Sequence, residues 1–398
     1  MSGTLASRLR AAALVAPLAI FLAIFFVWPL VMMLRTAVVD DEVAKAFPVT
    51  AEALAGWDGT VPPAPTIQAA VVTDLRTIED RSVLGDAVRR LNSAMSGFRS
   101  LMSKTYRDVR EGGASPSNGA PVDLVAIDGR WGNLATWRAM ARAMPPYTDR
   151  YLLASVDLHR DGEGAIVSGS GEASANRIIL QRTFFIAATV TLLAAAIGLP
   201  FAMLIASTRG RLRNLLLLAV LLPLWTSLLV RTAAWVVVLQ DNGLINEGLE
   251  ALGITNGPIP LIFNRTGVVI AMTHVLLPFM VLPIYSSLVA VPSNLMPAAA
   301  TLGARPLAAF RHVLLPLVLP GLLSGALLVF MVALGYYITP ALVGGANDQM
   351  ISSVIAFYAT GTANWGMAAA LGIVLLVATL LLYAVYGRFS KSPPGIGV

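Results

Sequence analysis

Long apolar runs separated by short polar intervals dominate this sequence, with one extended exception near its beginning. Six windows are apolar over the roughly 20 residues that a helix needs to cross the hydrocarbon core of a bilayer: about 11–35, 183–208, 214–239, 267–290, 313–337 and 367–387. Each predicts a membrane-spanning helix. The first run, Ala11 to Leu34, has no charge and no small-residue cleavage site, so it reads as a retained anchor rather than a removable leader. Pro29, Pro200, Pro223, Pro278, Pro283, Pro316 and Pro320 fall within or near these windows. Each removes a backbone donor and favours a kink.

Residues 36–182 follow a different pattern. Charges of both signs recur, as in Asp74-Leu75-Arg76-Thr77-Ile78-Glu79-Asp80-Arg81, and Pro62-Pro63-Ala64-Pro65 and Pro145-Pro146 interrupt the stretch. Between 81 and 111, Val83, Leu84, Ala87, Leu91, Met95, Phe98, Leu101 and Met102 recur near helical spacing and predict an amphipathic helix. Gly112-Gly113-Ala114-Ser115-Pro116-Ser117-Asn118-Gly119 reads as a flexible loop, and Trp137, Ala141 and Met144 suggest a second, shorter helix. The stretch is long enough for a small helical or mixed domain of its own. No internal repeat at a fixed period is visible.

Composition supports the membrane reading. Of 398 residues, 57% are hydrophobic and 13% charged, against roughly a quarter charged in soluble domains, and mean hydropathy is +0.74. There is no cysteine, which removes disulfides, thiolate metal sites and cysteine nucleophiles together. A net charge of +6 raises the question of nucleic acid, but the basic residues flank apolar runs instead of forming one face. They read as a topology signal, with lipid as the surrounding medium. Arg8 and Arg10 precede the first window; Arg209, Arg211 and Arg213 separate the second and third. Arg305 and Arg311 separate the fourth and fifth, and Arg388 and Lys391 follow the sixth. Six crossings put all four groups on one side, which the positive-inside rule makes cytoplasmic. Both termini are then cytoplasmic, whereas 36–182, 240–266 and 338–366 face outward.

The interval between the fourth and fifth windows reads Pro297-Ala298-Ala299-Ala300-Thr301-Leu302-Gly303-Ala304-Arg305-Pro306-Leu307-Ala308-Ala309-Phe310-Arg311-His312-Val313-Leu314-Leu315-Pro316. Ser293 or Asn294 is positioned to cap a short helix that Gly303 closes with a left-handed turn. A second helix starts near Pro306, where proline is tolerated, and leads into the membrane. Such an elbow is a compact knob suited to a groove in another protein.

This interval resembles the EAA loop of ABC importer permeases: Glu-Ala-Ala, three residues, Gly, nine residues, an aliphatic residue, one residue, Leu-Pro. Ala298, Ala299, Gly303, Val313, Leu315 and Pro316 fall on that pattern, whereas Pro297 stands at the glutamate position. The segments Leu222–Trp235, Asn242–Asn246 with Leu252-Gly253, and Leu276–Ser287 resemble permeases of the spermidine/putrescine type. The resemblance covers about 180–390 and the first span. Arg130-Trp131-Gly132 and Thr136-Trp137-Arg138 resemble inserts of a proteobacterial branch.

The resemblance implies an all-α membrane protein with six transmembrane helices of the type I ABC importer permease fold and a periplasmic domain between the first and second. The expected division is 1–36 (tail and first helix), 37–181 (periplasmic insert), 182–390 (permease core, coupling loop 294–316) and 391–398 (tail). It implies a bacterial inner-membrane permease that moves spermidine/putrescine, with an opine, an amino acid or another small amine as alternative cargo. The implied partners are an ABC ATPase dimer, a second homologous permease and a periplasmic solute-binding protein. ATP and Mg belong to the ATPase, and this chain binds no cofactor. Ala298, Ala299, Gly303, Arg305, Leu315 and Pro316 are the implied coupling-loop residues.

Candidates for the substrate path are Trp225, Arg231, Trp235 and Tyr285. Arg231 is the one charged residue inside a window, Arg35 standing at the edge of the first. It reads either as a functional group or as a side chain snorkelling to the outer interface, and Asp241 or Glu247 are available to pair with it. No Asp or Glu lies in any window, so a cation path has to use aromatic faces and carbonyl oxygens. Trp225, Trp235, Tyr285, Tyr336, Tyr337 and Tyr358 are also placed to act as interfacial belt residues. Enzyme classes find no support. His159, His274 and His312 are far apart without metal-ligand spacing, and His274 is expected to be a buried, hydrogen-bonded helix residue. No Gly-x-Ser-x-Gly, His-Glu-x-x-His or phosphate-binding loop occurs. A secondary transporter would usually show inverted repeats and intramembrane carboxylates.

Overall fold

A computed structural model describes residues 5–110, 122–161, 164–169 and 175–389. The glycine-rich segment Gly112–Gly119, Lys391 and the tail 391–398 lie outside the described residues. The chain divides into two compact units, Met1–Tyr151 and Leu152–Val398.

The first unit begins with a helical run, Leu5–Leu22, a π-helical turn at Ala23–Val27, and Trp28–Val38. The wide turn precedes Pro29, whose ring cannot donate to the preceding turn. The run ends in a clamp. Asp40 N–H donates to Pro146 O (2.9 Å) and Thr148 N–H to Val38 O (2.8 Å), on either side of a Val39–Tyr147 bridge. Asp40 also pairs with Arg90, both buried, and the Tyr151 hydroxyl lies 3.4 Å from the same carboxylate.

Short helices then pack around a tryptophan pair. Trp131 and Trp137 are almost solvent-free, with ring centroids 4.9 Å apart. Their indole N–H groups donate to Thr105 Oγ1 (2.9 Å) and Trp131 O (2.7 Å), so neither buried donor is left open. The helix Pro48–Leu54 receives no capping bond from its own preceding residue, Phe47. Asp74, from helix Pro65–Thr77, supplies it by accepting from the N–H groups of Val49 (3.1 Å) and Thr50 (2.8 Å). The segment 81–111 is two helices, not one: Arg81–Ala94 and Phe98–Arg110. Gly97 at φ +97° turns the chain between them, and Asn92 Oδ1 accepts from Gly97 and Arg99 N–H.

In the second unit a short antiparallel hairpin, Leu158–Arg160 with Ile166–Ser168, precedes the helix Ala175–Ser207. That helix packs with Arg265–Ala290 and Leu315–Gly335 to form the centre of a bundle. Glycines permit the close approach. A Cβ on Gly321 would stand 2.0 Å from Ser287 Oγ and 2.6 Å from Pro283 O; one on Gly325 would stand 3.0 Å from Met280 Sδ. Gly198 meets the same methionine from the neighbouring helix.

Among the described residues, five helices are long and apolar enough to cross a membrane, or six if one bent pair is a single span. The bent pair corrects the window 214–239. It comprises Gly210–Trp225 and Leu228–Val238, which meet at 102°. Pro223 lies in the last turn before the break, and Thr226 and Ser227 are extended. The Thr226 hydroxyl donates to Pro223 O (3.0 Å), giving that carbonyl a partner outside the helical ladder. The intervals 240–266 and 338–366 contain helices of their own, Leu244–Ala251, Ile338–Val343 and Ile351–Ala356. Asn246 fixes the first of these through Gln240 O and both backbone groups of Ile259.

Candidate functional site

The helix Leu295–Thr301 forms the first arm of an elbow. Asn294 occupies its N-cap position, but neither it nor Ser293 makes the predicted side-chain cap; the Asn294 backbone is already helical (φ −83°, ψ −16°), so the side chain is not placed to reach the first turn. Gly303 (φ +82°) ends the arm. Its N–H donates to Ala300 O (3.0 Å), and Ala304 N–H reaches back to Ala299 O (3.0 Å), satisfying carbonyls at the helix end. No atom lies within 4 Å of a Cβ built on Gly303. The requirement there is the backbone angle, not space.

Arg305 is extended and exposed, and Pro306 begins the second arm, Pro306–Ala309. A π turn, Phe310–Leu314, carries it into Leu315–Gly335 without a break. Pro316 sits in the first turn of this last helix, exposed, and Leu315 is half-buried. Ala299 and Ala309 are buried as the two arms pack together, while Ala298 faces solvent. The sequence reading passed over Leu302 and Leu307, exposed at 88% and 77% on either side of the Gly303 turn. The available signal was two leucines in an alanine-rich interval outside every apolar window.

The four path candidates do not form one site. Arg231 and Trp235 share a face of Leu228–Val238, one turn apart. Trp235 Nε1–H donates to His274 Nδ1 (3.2 Å), with the rings edge-on at 5.3 Å. That bond requires the neutral imidazole, with its proton on Nε2. His274 is thus hydrogen-bonded as expected, but exposed instead of buried, because it faces the bent span and not the bundle centre. Arg231 pairs with neither Asp241 nor Glu247. Its Nη2 donates to Thr226 O at the break (3.0 Å), and its buried Nε has no partner. The guanidinium also acts electrostatically on His274 and Tyr336. Nearby elements are joined by the Thr232 and Thr339 hydroxyls, 3.1 Å apart.

Trp225 stands exposed at the end of the preceding helix. Tyr285 lies eleven residues beyond His274 on the same helix, about 16 Å along its axis, and packs against the bundle core. The structure therefore groups Arg231 and Trp235 with His274, and leaves Trp225 and Tyr285 apart. Among the described residues, no three His, Cys, Asp or Glu side chains are placed to hold a metal ion.

The profile of the family described as binding-protein-dependent transport system inner membrane component matches residues 198–392, which include the elbow and the Arg231 group. The chain is similar to the spermidine/putrescine transport system permease protein PotB of Escherichia coli K12. Identity is 35% over 213 residues, covering 54% of this chain and 78% of that protein. The namesake protein of Haemophilus influenzae is 37% identical over 201 residues, covering 50% of this chain and 70% of the other. Among solved structures, a bacterial alginate ABC transporter in complex with a periplasmic protein carrying alginate pentasaccharide aligns with a TM-score of 0.47. Its identity is 17%, over 57% of this chain and 82% of that one.

Proposed function

The chain belongs to the family of binding-protein-dependent transport system inner membrane components, and from that premise we propose a full assignment. It is a multi-pass inner-membrane permease of an ABC importer, with the type I permease fold, and it is not an enzyme; ATP hydrolysis lies in a separate subunit. An ATPase and a solute-binding protein are its partners. The remaining components of the assignment are a second, homologous permease, cytoplasmic termini and a periplasmic insert that receives the binding protein. The cargo is a small polar amine, spermidine or putrescine, which is the cargo named for the relatives of 35% and 37% identity.

The observation that carries the mechanism is the Gly303 elbow, which runs unbroken into the helix Leu315–Gly335. A push on this knob is a push on the bundle. ATP-driven closure of the ATPases levers the elbow, rocks the spans and admits cargo from the binding protein. Ala298, Gly303 and Arg305 meet the ATPase; Ala299, also expected at that contact, is buried between the arms and holds the knob together, while Leu315 and Pro316 join it to the span.

Reconstitution of the four components in vesicles tests the assignment: ATP-dependent uptake of labelled spermidine supports it. Gly303→Val should abolish coupled uptake with membrane insertion intact, since a β-branched residue at this positive φ costs roughly 1–2 kcal/mol; unchanged uptake would argue against the coupling role. Deleting 45–175 should abolish capture of the binding protein.

One observation favours a second cargo reading. The spans contain no carboxylate, while Arg231 has a buried Nε without a partner. An arginine repels a polyammonium ion and suits an amine that also bears a carboxylate. Competition of labelled spermidine uptake by an opine or an amino acid separates the two.

A further inference from the structure

We infer that the elbow seats on its ATPase through an apolar anchor, Leu302 and Leu307, in a greasy socket with an acidic rim, and not through an ion pair from the position of Pro297. This rests on the reading of 294–316 as the coupling loop and names the chemistry of its partner surface. Residues 294–311 contain no Asp or Glu; their charges are Arg305 and Arg311, both exposed. Pro297 can neither carry charge nor donate a hydrogen bond from its ring. At the same place the chain presents Leu302, 88% exposed, and Leu307, 77% exposed.

Leu302 lies outside every candidate span, and Leu307 is the second residue of the run Pro306–Gly335, at the end that meets the turn. Two large apolar side chains exposed at 88% and 77% on either side of one turn offer an apolar surface to a partner. The Ala304–Ala299 and Gly303–Ala300 backbone bonds close the first arm, and the arms pack together over buried Ala299 and Ala309. The leucines are therefore presented with little ordering entropy left to lose on docking. Arg305, between them, supplies the only charge at the tip, so the complementary rim is acidic.

The test uses the assembled transporter in detergent, washed at rising NaCl, with the ATPase retained on the tagged permease as the readout. At 1 M salt ion pairs are screened within about 3 Å, while apolar contacts persist. The unsubstituted complex should keep its ATPase there. Leu302→Ser with Leu307→Ser should weaken retention by tenfold or more, with an unchanged detergent melting temperature for the permease. Arg305→Gln should change it by less than about threefold and flatten its salt dependence.

Dissociation of the unsubstituted complex at high salt, or full retention by the double serine variant, overturns the inference while leaving the coupling reading intact. If the double variant does not fold, the salt profile of the unsubstituted complex and of Leu302→Ala decides. Retention unaffected by removal of 295–309 overturns the coupling reading, and the inference with it.

Discussion

In the helical domain of the first unit four large aromatic side chains form the core: Trp131, Trp137, Phe47 and Phe98 have almost no contact with solvent. The bundle of the second unit inverts this. Trp225, Leu192 and Phe185 are exposed at 74%, 71% and 58%, while the long helices approach one another closely at Gly198, Gly321 and Gly325. The two regions are folded against different solvents. Water rewards removal of large apolar area, so the first buries its aromatics and caps its helices with carboxylates. Lipid gives no such reward between helices, and cohesion comes from close backbone approach at small residues.

Four substitutions sharpen or break this contrast. The largest effect is expected from Trp137→Ala, which empties the core of the helical domain. A loss of about 3–5 kcal/mol should appear as fast hydrogen exchange across 42–143, and slow exchange there would break the contrast. Gly321→Val attacks the bundle by the opposite route, adding atoms where Ser287 and Pro283 leave no room. Overpacking of about 3 kcal/mol should lower its thermal midpoint in detergent. An unchanged midpoint would show that the backbones are not in forced proximity.

Asp74→Ala removes the cap that one helix lends another and leaves the N–H groups of Val49 and Thr50 without it. A cost of about 2 kcal/mol is expected in urea unfolding followed by tryptophan fluorescence. The smallest effect concerns Asp128. Hydrogen bonds from the Arg130 side chain and backbone, with the nearby Arg130 and Lys104 charges, lower its pKa from 3.8 to about 2. A lowered folded-state pKa gives a contribution that is complete above pH 3.8 and disappears as pH falls towards 2. Asp128→Asn should flatten that part of the acid melting profile, and an identical profile would exclude the ion pair as its source.

Apolar runs of adequate length made the spans legible, and Gly303 was legible because glycine is favoured at a left-handed helix end. The break in the third span was not. Pro278 and Pro283 lie inside the uninterrupted helix Arg265–Ala290, so proline alone does not tell a kink from a 102° turn. The extended Thr226-Ser227 pair makes the difference, and neither residue type announces it. The Trp235–His274 bond joins residues 39 apart through tertiary packing, which local pattern does not encode. The helix over 81–111 was overextended for a simpler reason: the apolar rhythm continues across Gly97, and periodicity outweighed a glycine that ends one arm and starts another.

The clamp at Val38–Asp40 has a mechanical consequence. With backbone bonds on both flanks of the Val39–Tyr147 bridge and a buried ion pair beneath, the chain has no swivel where it leaves its first helix. That helix and the domain attached to it tilt together, as a tiller moves with its rudder. A torque applied to the domain passes straight into that helix.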